Sequence, residues 1–155
     1  NSGTTSESVA RACKDTTKLM VVTNRVNVAQ ILSAHPMAEV IMTGGRLRRA
    51  DGGLVGDLAV QSIQAFKVDI AVIGASSLDI DGDVLDFDPD EVRVAQAILG
   101  QARQSILVAD QDKLSRVAPV KIVGVANLGR WVTDATPPEP LASLCTEAGT
   151  QVTVA

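Results

Sequence analysis

The sequence predicts an α/β domain built on a mainly parallel sheet, and three observations support that class. Short runs rich in Val, Ile and Leu alternate with longer amphipathic segments along the whole chain, the pattern of layered βα units joined by right-handed crossovers. Several runs, such as Val68-Asp69-Ile70-Ala71-Val72-Ile73-Gly74, are apolar almost throughout, as expected of a strand covered on both faces. The chain has 155 residues, 46% hydrophobic and 21% charged, which is the size and composition of one folded domain.

The strands are expected at Lys18–Thr23, Glu39–Thr43, Val68–Gly74, Ser105–Ala109, Val120–Ala126, Arg130–Thr133 and Gln151–Ala155. The helices are expected at Ser6–Cys13, Val26–Ala34, Leu54–Ala65, Pro89–Gln104 and Pro137–Ala148. Asp88-Pro89-Asp90-Glu91 puts a side-chain acceptor at the N-cap, Pro at the first helical position and Glu two residues later, a capping box. Thr136-Pro137-Pro138-Glu139 repeats the arrangement. Asp88 and Glu91 are therefore read as caps rather than as a catalytic carboxylate pair. Aromatic residues are limited to Phe66, Phe87 and Trp131, so the core must be aliphatic and base stacking on RNA or single strands is disfavoured.

Fourteen basic residues against eighteen acidic ones give a net charge of −4. A duplex is held by Lys and Arg set against phosphates, so this chain is not expected to bind DNA by itself. Cys13 and Cys145 lie far apart among apolar neighbours, which fits packed free thiols and a reducing, cytoplasmic setting. No run approaches the ~18 apolar residues of a membrane span. The chain starts without Met in the middle of a polar motif, and is expected to be a fragment that follows a lost strand.

In a parallel α/β sheet, ligands gather beyond the carboxyl ends of the strands. Asn1-Ser2-Gly3-Thr4-Thr5 leads into a helical pattern. A Gly among hydroxyls at the positive end of a helix has the parts of a phosphate cradle, although Thr4-Thr5-Ser6-Glu7 also fits a capping box. Thr43-Gly44-Gly45-Arg46-Leu47-Arg48-Arg49 follows a strand, and Asp51-Gly52-Gly53 closes that loop. The glycines permit close approach of a ligand and the arginines can fork onto an anion, or simply be solvated. Ala109-Asp110-Gln111-Asp112-Lys113 offers Lys113 as a point charge or base and Asp110 as a hydroxyl acceptor. As exposed charges, Arg48 and Lys113 are expected to add little to folding stability.

Other signatures fail. Asp79-Ile80-Asp81-Gly82-Asp83 has Val84 where a calcium loop wants Gly and Asp90 where it wants Glu, so an acidic turn with Gly82 at positive φ is the better reading. Gly74-Ala75-Ser76-Ser77-Leu78 lacks the closing Gly of a nucleophile elbow. His35 is the only histidine, expected at the surface at a helix end, and no triad can be built on it. Neither a P-loop, a G-x-G-x-x-G motif nor a His/Cys cluster for zinc occurs. No cofactor or metal is expected.

Ser2-Gly3-Thr4-Thr5, Thr23-Asn24, Thr43-Gly44-Gly45-Arg46-Leu47-Arg48, Leu54-Val55-Gly56, Asp69 through Gly74-Ala75-Ser76, and Asp110 with Lys113 occur in that order. The ordered set resembles the C-terminal sensor domain of DeoR-family bacterial transcriptional repressors of sugar and polyol metabolism, over essentially the whole chain. The resemblance implies a three-layer Rossmann-like fold, similar to ribose-5-phosphate isomerase, glucosamine-6-phosphate deaminase and CoA-transferase domains. It also implies one effector-binding domain over residues 1–155, a homo-oligomer, and operator DNA contacted only through an absent N-terminal winged helix-turn-helix. By the same resemblance Ser2, Gly3, Thr4 and Thr5 match a phosphate loop. Thr23, Asn24, Gly44, Gly45, Arg48, Gly74, Ala75 and Ser76 would line the remaining pocket for a phosphorylated sugar or polyol, and Asp110 and Lys113 match the family's D-x-x-K. Three positions depart from the family pattern: Asn1 stands for the usual Asp, Gln111 for a common His, and Asp90-Glu91-Val92 for Glu-Glu-Ala.

The implied function is ligand sensing without catalysis. The alternative is an active sugar-phosphate isomerase or deaminase of the same fold, with Asp79, Asp110 and Lys113 as candidate proton carriers. Related isomerases resemble D-G-A-D after the corresponding strand. This chain reads Ile73-Gly74-Ala75-Ser76 and lacks the first carboxylate.

Overall fold

The structure, a computed structural model, describes residues 2–155, and of Ser2 and Lys14 the backbone alone. In chain order the elements are α1 (Ser2–Ala12), β1 (Leu19–Thr23), α2 (Val26–Ser33), β2 (Ala38–Met42), β3 (Arg46–Leu47), β4 (Leu54–Val55), α3 (Asp57–Gln64), β5 (Val68–Ile73), β6 (Ser77–Leu78), β7 (Asp83–Asp86), α4 (Pro89–Gly100), β8 (Ala102–Val108), β9 (Val120–Gly124), β10 (Arg130–Thr133), α5 (Leu141–Ala148) and β11 (Gln151–Val154). Strands β5, β8, β10 and β11 form a parallel sheet in the order β11-β10-β8-β5, and β1 pairs with β2 in parallel. Hairpin β3–β4 and the sheet β6-β7-β9 are antiparallel. The architecture is thus mixed α/β with a mainly parallel sheet, as expected. No helix of the described residues is long and apolar enough to cross a membrane.

Where boundaries differ from expectation, a local cause is visible. The expected helix Leu54–Ala65 begins only at Asp57, because Leu54 and Val55 pair with Leu47 and Arg46 and Gly56 (φ +95°) turns the chain before the helix. The helix from Pro89 stops at Gly100 rather than Gln104, since Ala102 onward is drawn into the ladder with β5. The second capping box is not formed. Prolines 137, 138 and 140 push the residues before them out of helical backbone, so α5 starts at Leu141 and the Glu139 carboxylate only accepts the Ser143 N–H at 3.3 Å. The first capping box is half right: Asp88 accepts the Asp90 N–H at 2.8 Å, while Glu91 turns to other partners. Gly82 does take positive φ, closing the β6–β7 hairpin. His35, expected at the surface, is buried. Its Nδ1 accepts the Met37 N–H at 3.0 Å and its Nε2 lies 2.9 Å from the Thr16 carbonyl.

The main core lies between the four-stranded sheet, β9, α4 and α5. It centres on Trp131, Leu107, Leu78, Val84, Val125 and Leu141, all fully buried. Smaller clusters hold α3 against α4 (Ala59, Ile63, Val94) and α1 against α2 (Ala10, Val28, Leu32). Burying one such aliphatic side chain contributes about 1.5–3 kcal/mol, so helix packing is the chief cement.

Among the described residues, β1–β2 and the four-stranded sheet share no strand pairing. A buried ion cluster ties the two units at their common edge. Arg25, just after β1, reaches Asp51 of the β3–β4 loop at 3.0 Å and Glu91 of α4 at 2.9 Å. Arg48 reaches Glu91 at 3.0 Å and Asp88 at 3.5 Å. The loop is pressed onto the β1–α2 junction by backbone bonds from Val26 N–H to Gly52 and from Leu54 N–H to Asn24. Burial pushes the Glu91 carboxyl above its ordinary range against the pull of Arg25. Asp51 moves the other way: burial opposes ionisation, but the Arg25 hydrogen bond and charge, the Gly53 N–H and Arg48 together hold it low.

Two outcomes follow for stability. Replacing Arg25 with Met leaves Asp51 and Glu91 with Arg48 as their one cation among the described residues and should cost about 3–5 kcal/mol in denaturant unfolding, the range for breaking a buried pair from one side. Asp51 is depressed in the folded state, so it adds stability above its unfolded pKa of ~3.9 and loses it as pH falls through the lower folded value. Asp51→Asn should therefore be less stable than the parent at neutral pH, with the difference closing on acidification.

Candidate functional site

Parallel strands bring their carboxyl ends to one edge, and most of the singled-out residues follow a strand end. Thr23 and Asn24 end β1, Thr43 and Gly44 follow β2, Gly74, Ala75 and Ser76 follow β5, and Asp110 and Lys113 follow β8. A cavity of about 550 Å³ opens beside this edge. Thr23, Asn24, Arg25, Gly74, Asp86 and Glu91 border it, and apolar residues of α1, β1, β5 and α4 form its body.

Several of these residues are occupied by the scaffold. Asn24 is buried and donates to the Leu54 carbonyl at 3.0 Å, pinning the β3–β4 hairpin. Thr23 Oγ1 accepts the Arg25 N–H at 3.1 Å, which orients the arginine at the centre of the ion cluster. Gly44 N–H donates to Ser62 Oγ at 3.1 Å. Gly45 has φ +129°, and a Cβ there would meet the Val55 carbonyl at 2.7 Å, so that glycine lets two backbones approach. Ser76 Oγ donates to Asp86 at 2.9 Å beside buried Ala75. Arg48 is not the exposed charge expected. It is about three-quarters buried and ion-paired to Glu91 and Asp88, so its loss would also disturb folding.

Gly3, Thr4 and Thr5 lie in the first turn of α1 rather than in a loop before it. Gly3 is buried, Thr5 half-buried and Thr4 exposed, with the Thr4 carbonyl accepting from Ser8 Oγ at 3.1 Å. The Ser2 side chain and Asn1 lie outside the described residues. The positive end of the α1 dipole therefore lies at these residues.

Lys113 differs most from its expected environment. It is only 4% exposed, yet among the described residues it forms no ion pair. Its position is set by a rigid short segment. Trp131 Nε1 donates to the Ala109 carbonyl at 2.9 Å, and Gln111 Nε2 donates to Thr133 Oγ1 at 3.0 Å and to the Ala135 carbonyl at 3.1 Å. The Gln111 N–H is held by Asp134 at 2.8 Å, and a 3-10 helical turn over Gln111–Ser115 then carries Lys113 inward. Asp110 stays exposed at the start of that turn. A lysine at a strand end without a carboxylate partner is suited to an anion brought by a ligand.

Two contributors escaped the sequence reading. Arg25 stood beside Thr23-Asn24 with no motif to mark it. Gln111 looked like a departure from pattern, but it anchors the lysine segment to β10. Among the described residues no group of three His, Cys, Asp or Glu side chains is placed to hold a metal.

Comparison with known proteins shows the family. The model of the DeoR C-terminal sensor domain matches residues 1–135. The glycerol-3-phosphate regulon repressor of Escherichia coli is 37% identical over 145 residues, covering 94% of this chain and 58% of that protein. The protein of the same name in Haemophilus influenzae is 42% identical over 120 residues, covering 77% of this chain and 47% of its own length. The HTH-type transcriptional repressor CsqR of Escherichia coli is 37% identical over 141 residues, covering 91% and 54% respectively. The chain spans about half the length of these relatives. The mixed α/β fold, the ordered strand-end loops and the family match over most of its length place this chain in the DeoR family, as a C-terminal sensor domain.

Proposed function

We propose that the domain senses a phosphorylated sugar or polyol at the carboxyl ends of its parallel strands. Lys113, whose side chain is largely buried and has no carboxylate partner among the described residues, carries this reading. It sits at the strand ends where a small polar ligand would lie, and it supplies the charge that a phosphate would neutralise. The α1 N-terminus adds backbone N–H groups and the positive dipole end. The names of the relatives support a phosphorylated polyol of glycerol size as the first compound to try.

In the intact cytoplasmic repressor, occupation of this site would bias the arrangement of a homo-oligomer and of a separate N-terminal DNA-binding domain. The domain itself would perform no chemistry, since Gly74-Ala75-Ser76 offers no carboxylate where an isomerase of this fold would carry one. Its formal charge of −4 fits the same division of labour, with operator contacts made elsewhere in the protein.

The test is calorimetric titration with glycerol 3-phosphate and with glycerol, on the parent and on Lys113→Met. The phosphorylated form should bind and the free polyol should not. The variant should lose about 10- to 150-fold in affinity, the worth of one charge-assisted bond. Its folding stability should change little, because Met keeps the packed aliphatic stem and no ion pair is lost. The proposal fails if both forms bind alike, or if the variant keeps parental affinity while folded. Turnover of ribose 5-phosphate or glucosamine 6-phosphate would restore the enzymatic reading.

A further inference from the structure

The ion cluster at the end of β1 does not balance. Among the described residues two guanidiniums, Arg25 and Arg48, are faced by four carboxylates: Asp51 of the β3–β4 loop, Asp86 at the end of β7, and Asp88 and Glu91 at the start of α4. Asp90, next to them in α4, pairs outward with Arg46. Other elements packed on α4 bring charges that are matched elsewhere, Asp57 of α3 by Arg93, Lys121 of β9 by Asp83 and Arg103 of β8 by Asp69. The cluster therefore carries an excess of negative charge, at the polar end of the cavity that Arg25, Asp86 and Glu91 border.

Its carboxylates are not equally served. Asp51 accepts from Arg25 at 3.0 Å and from the Gly53 N–H at 3.2 Å. Asp86 accepts from Ser76 Oγ at 2.9 Å and from the Phe87 N–H at 2.7 Å. Asp88 accepts the Asp90 N–H at 2.8 Å and is about one-third exposed. Glu91 has a single aligned donor, Arg25, on Oε2. Its Oε1 lies 3.0 Å from Arg48 Nη1 but off the line of a hydrogen bond, and is buried without a hydrogen-bond partner among the described residues. A Cβ on Gly53 would stand 2.7 Å from that oxygen, so the loop backbone closes over it. An anionic oxygen without an aligned donor, buried among other carboxylates, is the position in the cluster where a proton is most favourable.

We propose that Glu91 Oε1 is a proton site, and that a proton there and an anion bound at this edge favour each other. Protonation lowers the excess negative charge while Oε2 keeps its bond from Arg25. An anion then approaches a less negative rim, and by reciprocity the bound anion raises the proton affinity of Glu91 by the same factor. In the free domain the Glu91 carboxyl is already pushed above its ordinary range, first by burial and then by Asp51 and Asp86, against the pull of Arg25 and Arg48. The proton site stands on the cluster alone. Its coupling to an effector rests on the proposed sensing of a phosphorylated ligand.

Carbon-13 NMR of the Glu91 side-chain carboxyl, followed through an acid titration of the folded domain, tests the site directly. The midpoint should lie above the ~4.3 of an unperturbed glutamate. With saturating glycerol 3-phosphate the proton affinity of Glu91 should rise about 5-fold or more, the low end of typical coupling between sites. Glu91→Gln keeps an acceptor for Arg25 and fixes the neutral state. By the same coupling it should bind glycerol 3-phosphate about 5-fold tighter than the parent at neutral pH, whereas a purely structural role would make it bind more weakly. A midpoint at or below ~4.3 in the free domain overturns the proton site. A midpoint that bound ligand leaves unmoved, or equal or weaker binding by the folded variant, overturns the coupling. If glycerol 3-phosphate does not bind at all, the sensing proposal falls, and the free-domain titration still decides the proton site.

Discussion

The Arg25–Glu91 pair, with Asp51 and Arg48 on its flanks, is the contact on which the functional edge depends. It ties the end of β1 and the β3–β4 loop, already bridged to each other through Arg25 and Gly53, to the first turn of α4. Buried ion pairs are seldom strong net stabilisers, because desolvation offsets most of the Coulomb gain. Their demand for geometry is strict, however, and here that demand fixes where one half of the edge lies relative to the other. The opposite responses of Glu91 and Asp51 to the same burial show how the charge is shared: Asp51 is favoured as an anion, while Glu91 carries the cost of desolvation.

That arrangement changes what the arginines contribute. A loop with three arginines after a strand reads as an anion trap, but Arg48 already faces Glu91, Asp88 and Asp51, and Arg46 pairs with Asp90 on the outside. In the proposed sensing role, recognition of a phosphate would fall to groups without a counter-charge. Lys113 is such a group, and it is placed by Gln111 and Trp131 rather than by any carboxylate. In that reading the cluster would be the frame of the site and the lysine its charge.

How much of this was legible in the sequence depended on the range of the forces involved. Local chemistry read well. Asp88 before Pro89 caps α4 as expected, Gly82 takes the positive φ its acidic turn required, and the parallel strands fall within a few residues of the runs that announced them. What failed was set by distant partners. Leu54 and Val55 look like the start of a helix until Arg46 and Leu47 pair with them. His35 looks exposed until Thr16 and Met37 enclose its ring. Glu91 looks like a cap until Arg25, far away in the chain, claims it. The site residues were listed largely through family resemblance. Their roles as scaffold, in Asn24, Gly45 and Arg48, come only from three-dimensional contacts.

The most direct test of the sensing account is a crystal structure of the domain with glycerol 3-phosphate. The account predicts a phosphate oxygen within about 2.7–2.9 Å of Lys113 Nζ, at the carboxyl ends of β5 and β8, with the Arg25–Glu91 pair undisturbed. A phosphate seated on the outer arginines, with the Lys113 ammonium still lacking an anion, would contradict it.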